Sequence, residues 1–189
     1  MKDLGAAKQI LGMSIARNKE TGTLKLSQAK YIKKVFEKFN MADAKPRSTP
    51  LGSQLKLSKV QSPKMEKDRE QMEKIPYPFA VGSLMYAMVC TRPDIAQAAG
   101  VMSRFMSNLG KDNCEGVKWL LRYLKGTSKV CLVYRKKEAV HEGFADANLA
   151  GCEDSGKSTT GYIFTIGGAS ISWMPRLQKR VALSTTEAE

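Results

Sequence analysis

Two carboxylates near the end of the sequence are of a type and setting that bind divalent cations. Asp146 lies in the middle of an alternating segment, GFADANLAG, where a buried charge would be costly without a partner or a function. Glu187 lies in the first turn of a helix predicted to begin at Ser184. Strands that lead into a helix can bring two such carboxylates together, and the pair would then bind a divalent metal. The alternative is that Asp146 faces solvent and Glu187 only caps the helix.

Residues 151–158 (GCEDSGKS) match the phosphate-loop pattern G-x-x-x-x-G-K-[ST] in full. That motif binds phosphate only between a strand and a helix, because backbone N–H groups and the helix dipole must face the anion. Here the following residues, TTGYIFTIGG, alternate as in a strand. Glu153 and Asp154 within the loop would also repel a triphosphate. We therefore interpret the segment as a β-turn rather than a nucleotide site.

A third group of chemically suggestive residues is a set of lysines on one side of a predicted helix. Ser27 is a suitable N-cap for this helix, whose apolar positions recur at helical spacing at Ile32, Val35, Phe36 and Phe39. The opposite side carries Lys30, Lys33, Lys34 and Lys38. Such lysines would contact phosphates and give affinity without sequence specificity. The alternative is an ordinary solvated helix face.

The overall charge also favours a polyanionic partner. The 189 residues include 31 Lys and Arg against 18 Asp and Glu, for a net charge of +13. Residues 1–75 carry +9 and residues 76–140 carry +6, whereas residues 141–189 carry −2. This distribution predicts a basic body that binds nucleic acid, followed by a differently built module. A basic protein without such a partner is the alternative.

The remaining reactive residue types exclude several classes of site. Four cysteines form no CxxC pair, and a single histidine, His141, leaves no zinc-binding pattern and excludes most histidine-based catalysis. No run has the length and composition of a signal peptide or a membrane span. We therefore expect an intracellular protein, cytoplasmic or nuclear, with reduced cysteines and no membrane partner.

The first elements that must position these groups are a hairpin and a linker. Residues 9–15 and 23–27 are short apolar runs, and the turn residues between them at 18–22 predict a β-hairpin. Residues 40–75 are rich in Pro, Ser and Lys, which predicts an exposed linker with a short helix near residues 64–74.

Three further helices are predicted in the middle of the chain. Residues 79–90 (FAVGSLMYAMVC) predict a buried helix, and Thr91 is of a suitable type to cap a second helix. Asp112 with Glu115 predicts a capping box at the start of a third helix, which ends at Gly126.

After these helices the periodicity changes to two, which predicts short strands. They lie at residues 130–134, 143–147, 162–166, 170–173 and 181–183. Ser184 and Glu187 then predict a capping box and a new helix. The elements together indicate an α+β fold.

Seven segments, spread over nearly the whole chain, carry a recognisable pattern: MKDLGAAKQILGMSI, LSQAKYIKKVFEKFNM, STPLGSQLKLS, PYPFAVGSLMYAMVCTRPDIA, VKWLLRYLKGTS, DSGKSTTGYIFTIGGASISW and VALSTTEAE. In this order they resemble the Pol polyprotein of plant copia-type retrotransposons. The resemblance implies the C-terminal part of a reverse transcriptase followed by the start of an RNase H, with the remainder of Pol as a partner in a virus-like particle.

The resemblance also implies a division into four parts. Residues 1–40 would be the end of the palm and a thumb-like helix, 41–75 a linker, 76–140 a helical connection region and 141–189 a truncated RNase H-like β-sheet. The family's polymerase motif YxDD is absent from the sequence. Polymerase activity is therefore not expected of this chain.

For the carboxylates the resemblance implies defined roles. RNases H of this kind use four carboxylates to hold two Mg²⁺ ions and cleave the RNA of an RNA–DNA hybrid. Asp146 and Glu187 match the first two, and the other two are expected beyond the sequence, so we expect an inactive chain that binds Mg²⁺ weakly or not at all. Asn148, Leu149 and Gly156 depart from the family pattern and suggest relaxed constraint. A binding module that holds an RNA–DNA hybrid or duplex without chemistry, and a relic without function, are the alternatives.

Overall fold

The computed structural model describes residues 5–52, 54–55, 57–63, 65–107, 109–136 and 139–189. Within these ranges the chain forms six α-helices and two antiparallel sheets. The predicted α+β class is therefore confirmed. None of the described helices is long and apolar enough to cross a bilayer.

The first sheet joins the start of the chain to its middle. Its strands, in spatial order, are β1 (Gln9–Ile10), β2 (Met13–Asn18), β3 (Thr23–Ser27) and β4 (Leu132–Arg135). The predicted hairpin is confirmed as β2–β3, but the first apolar run is itself folded into a smaller hairpin. Leu11 and Gly12 both have positive φ, 46° and 74°, as a tight turn between two strands requires.

Helix α1 (Ala29–Lys38) begins directly after this hairpin and follows the predicted pattern. Ile32, Val35 and Phe36 of its apolar stripe are buried, Phe39 is half-buried at the C-cap, and the lysines lie on the opposite side. The N-cap is Gln28 rather than the predicted Ser27, although the Ser27 hydroxyl still accepts a hydrogen bond from the Ala29 N–H at 3.3 Å. Because the Gln28 amide is buried and held by another helix, tertiary contacts moved the cap by one residue.

The hydrophobic core lies between α1 and three central helices. These are α3 (Tyr77–Thr91), α4 (Ala96–Ser103), which a 3₁₀ turn at Pro93–Ile95 precedes, and α5 (Lys111–Gly126). Their fully buried side chains include Val81, Leu84, Ile95, Met102 and Leu120. Removing these apolar surfaces from water is the main favourable contribution to folding this part of the chain.

Two predicted helix caps in this region are wrong. Thr91 is the last residue of α3 rather than a cap of the next helix, and its buried hydroxyl donates to Gln28 Oε1 at 2.7 Å.

Helix α5 begins after Gly110, whose N–H donates to Asn113 Oδ1 at 2.9 Å. Asp112 therefore does not cap the helix, and Glu115 instead forms an exposed ion pair with Lys118. The predicted end of the helix at Gly126 is confirmed.

A buried arginine fixes the corner between α3 and α4. Arg92 is 0% exposed, and its guanidinium forms two hydrogen bonds to the Asp94 carboxylate, at 2.8 and 2.6 Å. It also donates to the carbonyl and hydroxyl oxygens of Thr127, at 3.0 and 2.6 Å, while the Tyr123 hydroxyl donates to Asp94 at 2.8 Å. These four residues, the Arg92 cluster, join the corner to the end of α5. A buried charge is tolerated only with such a set of partners.

The segment between α1 and α3 lies along the central helices. It contains a 3₁₀ turn at Lys59–Gln61 and helix α2 (Glu66–Glu73), which confirms the predicted short helix. The Trp119 indole donates to the Thr49 carbonyl at 2.9 Å, and the Arg47 guanidinium lies 4.2 Å from the centre of the Trp119 ring. Several apolar side chains of the segment also pack on the core, namely Leu51, Leu57, Met72 and Ile75. The domain boundaries inferred from the sequence stay predictions.

The second sheet is formed by β5 (His141–Asn148), β6 (Thr159–Ile166) and β7 (Ala169–Leu177), in that order. Two of the five predicted strands are not part of it. Residues 130–134 contribute to β4, which pairs with β3 of the first sheet. Residues 181–183 form no strand, because Leu183 is 88% exposed and its N–H donates to the Glu187 carboxylate.

Hydrogen bonds from two aromatic side chains attach this second sheet to the rest of the chain. The Trp173 indole on β7 donates to the Met88 carbonyl of α3 at 3.1 Å. The Tyr134 hydroxyl on β4 donates to the Ser170 carbonyl of β7 at 2.8 Å. Strand β7 is thus held against both the helices and the first sheet. That this sheet belongs to an RNase H fold stays a prediction.

The charge of Asp94 is predicted to stabilise the fold in a pH-dependent manner. Burial by itself raises the pKa of this carboxyl, but the charge and hydrogen bonds of Arg92 and the Tyr123 hydroxyl outweigh it and lower the pKa below its usual value. We expect Asp94→Asn to lower the free energy of unfolding by about 2 kcal/mol at neutral pH. The loss should begin to shrink as the pH falls below about 4, where this carboxyl is protonated in the unfolded chain, and should vanish only below its lowered pKa in the folded protein.

Urea denaturation at neutral and acidic pH measures this difference. The matched control is Glu37→Gln, which removes the exposed ion pair between Lys33 and Glu37 at 3.9 Å and should cost less than about 0.5 kcal/mol. An equal loss for Asp94→Asn at both pH values would show that the shape of the side chain matters, and not its charge.

Candidate nucleic-acid interface and carboxylate site

The four predicted phosphate-contacting lysines share one surface. Lys30, Lys33, Lys34 and Lys38 are all exposed on α1, because the buried stripe of Ile32, Val35 and Phe36 turns the opposite side of the helix outward. Lys30, Lys34 and Lys38 are spaced by one helical turn, which is about 6 Å along the axis. They form a row, which we call the α1 lysine row, with Lys33 beside it.

Most of this positive charge has no acidic partner among the residues that the structure describes. In the described part of the chain, the only ion pair that the four lysines form is the long and exposed one between Lys33 and Glu37. The Lys38 ammonium lies over two aromatic rings instead, 5.7 Å from the centre of Phe39 and 5.5 Å from that of Phe79. The row therefore presents a positive surface to solvent.

The two predicted metal-binding carboxylates lie on neighbouring elements. Asp146 is exposed on β5, opposite Gly161 of β6. Glu187 lies in α6 (Thr185–Ala188), a short helix that contacts β5. Its N–H donates to the Ser184 hydroxyl at 3.1 Å, and its carboxylate accepts the Leu183 N–H at 2.9 Å. The predicted cap is thus confirmed, with the carboxylate reaching one residue further back than expected.

The donor set around these carboxylates does not fit a pair of metal ions. The described residues contain no group of three or more His, Cys, Asp or Glu side chains that could hold a metal. A two-metal site requires carboxylates that bridge and flank ions about 3.5–4 Å apart. Asp146 and Glu187 together supply only two, and the Glu187 carboxylate already caps a helix. The role of both as metal ligands stays a prediction, and no hydrolytic step follows from this geometry.

Residues 151–158 form a turn that leads directly into β6, in agreement with the predicted β-turn. Gly156 adopts a positive φ of 62° within it. Asp154, in the middle of the turn, accepts hydrogen bonds from the Ser58 hydroxyl at 2.6 Å and from the Lys59 N–H at 3.0 Å. The loop thus caps a distant 3₁₀ turn rather than forming a nest for phosphate.

Two functionally relevant residues were not identified from the sequence. Phe79 was predicted inside a buried helix, yet it is 68% exposed in the first turn of α3 and contacts Lys38. Arg92 was not identified either. The signal available in the sequence is its opposite charge to Asp94, two residues later, with which it forms an ion pair. The aromatic contact of Phe79 has no such local signal, because α1 and α3 are far apart in the sequence.

Comparison with known proteins relates the chain to transposon polyproteins. It is 58% identical over its whole length to the retrovirus-related Pol polyprotein of transposon TNT 1-94 from Nicotiana tabacum, and 37% identical over its whole length to that of transposon RE1 from Arabidopsis thaliana. It is also 36% identical to a mitochondrial protein of Arabidopsis thaliana, over the whole chain and 75% of that protein. The chain is therefore homologous, over its whole length, to a segment of transposon Pol polyproteins.

The match to this Pol family covers a small part of each polyprotein. The chain spans 14% of the tobacco polyprotein and 12% of the RE1 polyprotein. No family model matches the chain, and no solved structure matches it. The relationship is thus to one segment of a retrotransposon Pol polyprotein.

Because the GCEDSGKS turn lacks a following helix, we predict that the chain does not bind ATP. Titration with Mg²⁺–ATP, followed by calorimetry, should show no binding in the micromolar range, and Lys157→Ala should behave as the wild type. Micromolar binding that Lys157→Ala abolishes would contradict the interpretation of residues 151–158 as a turn.

Proposed function

We propose that the chain is the segment of a copia-type Pol polyprotein in which the end of the reverse transcriptase meets the start of an RNase H. In this proposal its own contribution is to hold the backbone of an RNA–DNA hybrid or duplex, in association with the remainder of the polyprotein. The observation that carries the proposal is the α1 lysine row, an exposed and largely unneutralised set of charges on a rigid helix.

The electrostatics of the chain support a backbone-binding role. Lysine ammonium groups on a helix bind phosphates by charge and release condensed counterions, which gives affinity that does not depend on base sequence. The net charge of +9 over residues 1–75 would attract the polyanion to the part of the chain that contains α1. The −2 over residues 141–189 would not. Binding is therefore proposed for the basic body and not for the second sheet.

For the carboxylates, we propose that Asp146 and Glu187 are two of the metal ligands of an RNase H site. Mg²⁺ is commonly held by one or two carboxylates together with substrate phosphates, so the pair would supply part of such a site. It would not fix the two ions that in-line hydrolysis uses. The chain by itself is then a binding module without cleavage activity. A relic that binds nothing is the competing proposal.

The lysine row predicts salt-dependent binding. Replacing Lys30 and Lys34 by Gln should weaken binding to an RNA–DNA hybrid and reduce the slope of log K against log salt by about 0.9 for each lysine that contacts a phosphate. Fluorescence anisotropy with a labelled hybrid at several salt concentrations measures both quantities. The matched control is Lys67→Gln, an exposed lysine on α2 outside the row, which should leave the slope almost unchanged. If the wild-type protein did not bind the hybrid at low salt, the competing proposal of a relic that binds nothing would be favoured.

The incomplete carboxylate set predicts absence of catalysis. With a labelled RNA–DNA hybrid and Mg²⁺, the chain should release no cleavage product above the level without protein, and Asp146→Asn should give the same result. Turnover by the wild type that is lost in Asp146→Asn would contradict this proposal.

A further inference from the structure

An exposed aromatic ring stands at one end of the α1 lysine row. Phe79 is 68% exposed although it lies between Tyr77 and Ala80, both of which are buried in the core. The first turn of α3 therefore directs Tyr77 inward, where its hydroxyl donates to the Met102 carbonyl, and leaves the Phe79 ring at the surface. A single exposed apolar side chain is common in proteins and by itself indicates no ligand.

The position of Phe79 relative to the lysines distinguishes it from other exposed aromatic residues. The Lys38 ammonium lies 5.5 Å from the centre of its ring, so the last charge of the row and the ring share one surface. Phe144, which is 60% exposed on β5, has the opposite setting. Its neighbours on the same face of the strand are Glu142 and Asp146. Only the first of these two rings lies beside positive charge.

A row of cations that ends at an aromatic ring is suited to a strand with unpaired bases. Lys30, Lys34 and Lys38 lie along about 12 Å of one helix side and can contact successive phosphates. A base attached to the phosphate nearest Lys38 would then lie within reach of the Phe79 ring. In a closed duplex the bases are stacked on one another inside the helix, and such a ring has no base face to contact. Aromatic stacking beside a positively charged track is the general arrangement for single-stranded nucleic acids.

We propose that Phe79 is a base-stacking residue and that the surface formed by Phe79 and the α1 lysine row binds single-stranded nucleic acid, or the unpaired end of a strand. This inference rests on the proposed function, because the same lysines hold the backbone. It adds that the ligand is recognised partly by the face of an unpaired base. An acidic protein segment would use the lysines but would have no need of the ring.

The experiment compares two ligands that differ only in their bases. One is a short oligothymidylate, and the other is an abasic oligomer of the same length and the same phosphates. Wild-type protein should bind the thymidylate about 10-fold more tightly than the abasic oligomer. Phe79→Leu, which keeps an apolar residue of high helix propensity, should reduce that ratio to about 1 without changing the affinity for the abasic oligomer. Phe79→Trp should retain the preference.

Three further measurements separate the possible outcomes. Phe144→Leu removes an aromatic ring of similar exposure from the acidic sheet and should leave the ratio unchanged. Phe79→Leu should melt as the wild type does, because the side chain is exposed. Lys30→Gln with Lys34→Gln should weaken binding of both oligomers equally.

An unchanged ratio in Phe79→Leu would overturn the stacking role. If the lysine variant still weakened both oligomers, the proposed backbone binding would stand. Equal affinity of the wild-type protein for the abasic oligomer and the thymidylate would also overturn the stacking role. So would polyglutamate that competes for this surface as strongly as the thymidylate does. If Lys30→Gln with Lys34→Gln did not weaken binding of either oligomer, the proposed backbone binding itself would be contradicted.

Discussion

The buried guanidinium of Arg92 is the constraint on which the arrangement of the other elements depends. It closes the corner between α3 and α4 and joins this corner to the end of α5 through Asp94 and Thr127. The adjacent Thr91 hydroxyl bonds to Gln28 at the start of α1. The segment T-R-P-D at residues 91–94 therefore connects all four helices that enclose the core. A charge without solvent is stable only when all its partners are in place, so the cluster favours one packing of these helices over alternatives.

The helical core in turn determines where the two sheets lie. After α5 the chain reaches β3, and β4 pairs with β3 as the fourth strand of the first sheet. The second sheet is attached to α3 by the hydrogen bond from the Trp173 indole. One consequence is a separation of charge. The α1 lysine row lies on the helical body, whereas Asp146 and Glu187 lie on the sheet module with net charge −2. Backbone binding and metal binding are thus proposed for different parts of one chain.

The candidate sites differ in how far the sequence could predict them. The lysines of α1 and the cap formed by Ser184 and Glu187 were predicted correctly in position, because helical periodicity and a capping motif are local properties. Residues 151–158 were interpreted as a turn because the residues that follow them alternate as in a strand. The exposure of Phe79 was not predictable in the same way. Helix α3 is apolar on nearly all sides, so no stripe in its sequence indicates which residues face solvent.

The sequence by itself determined most of the elements, the side of α1 that faces solvent, the uneven distribution of charge and the resemblance to Pol polyproteins. Tertiary structure alone decided the partner of β4, the removal of residues 181–183 from the sheet, the burial of Arg92 and the contact between Lys38 and Phe79. The physical reason is the range of the interactions. Periodicity and capping act within a few residues, whereas strand pairing and the solvation of a buried charge depend on groups that only folding brings together.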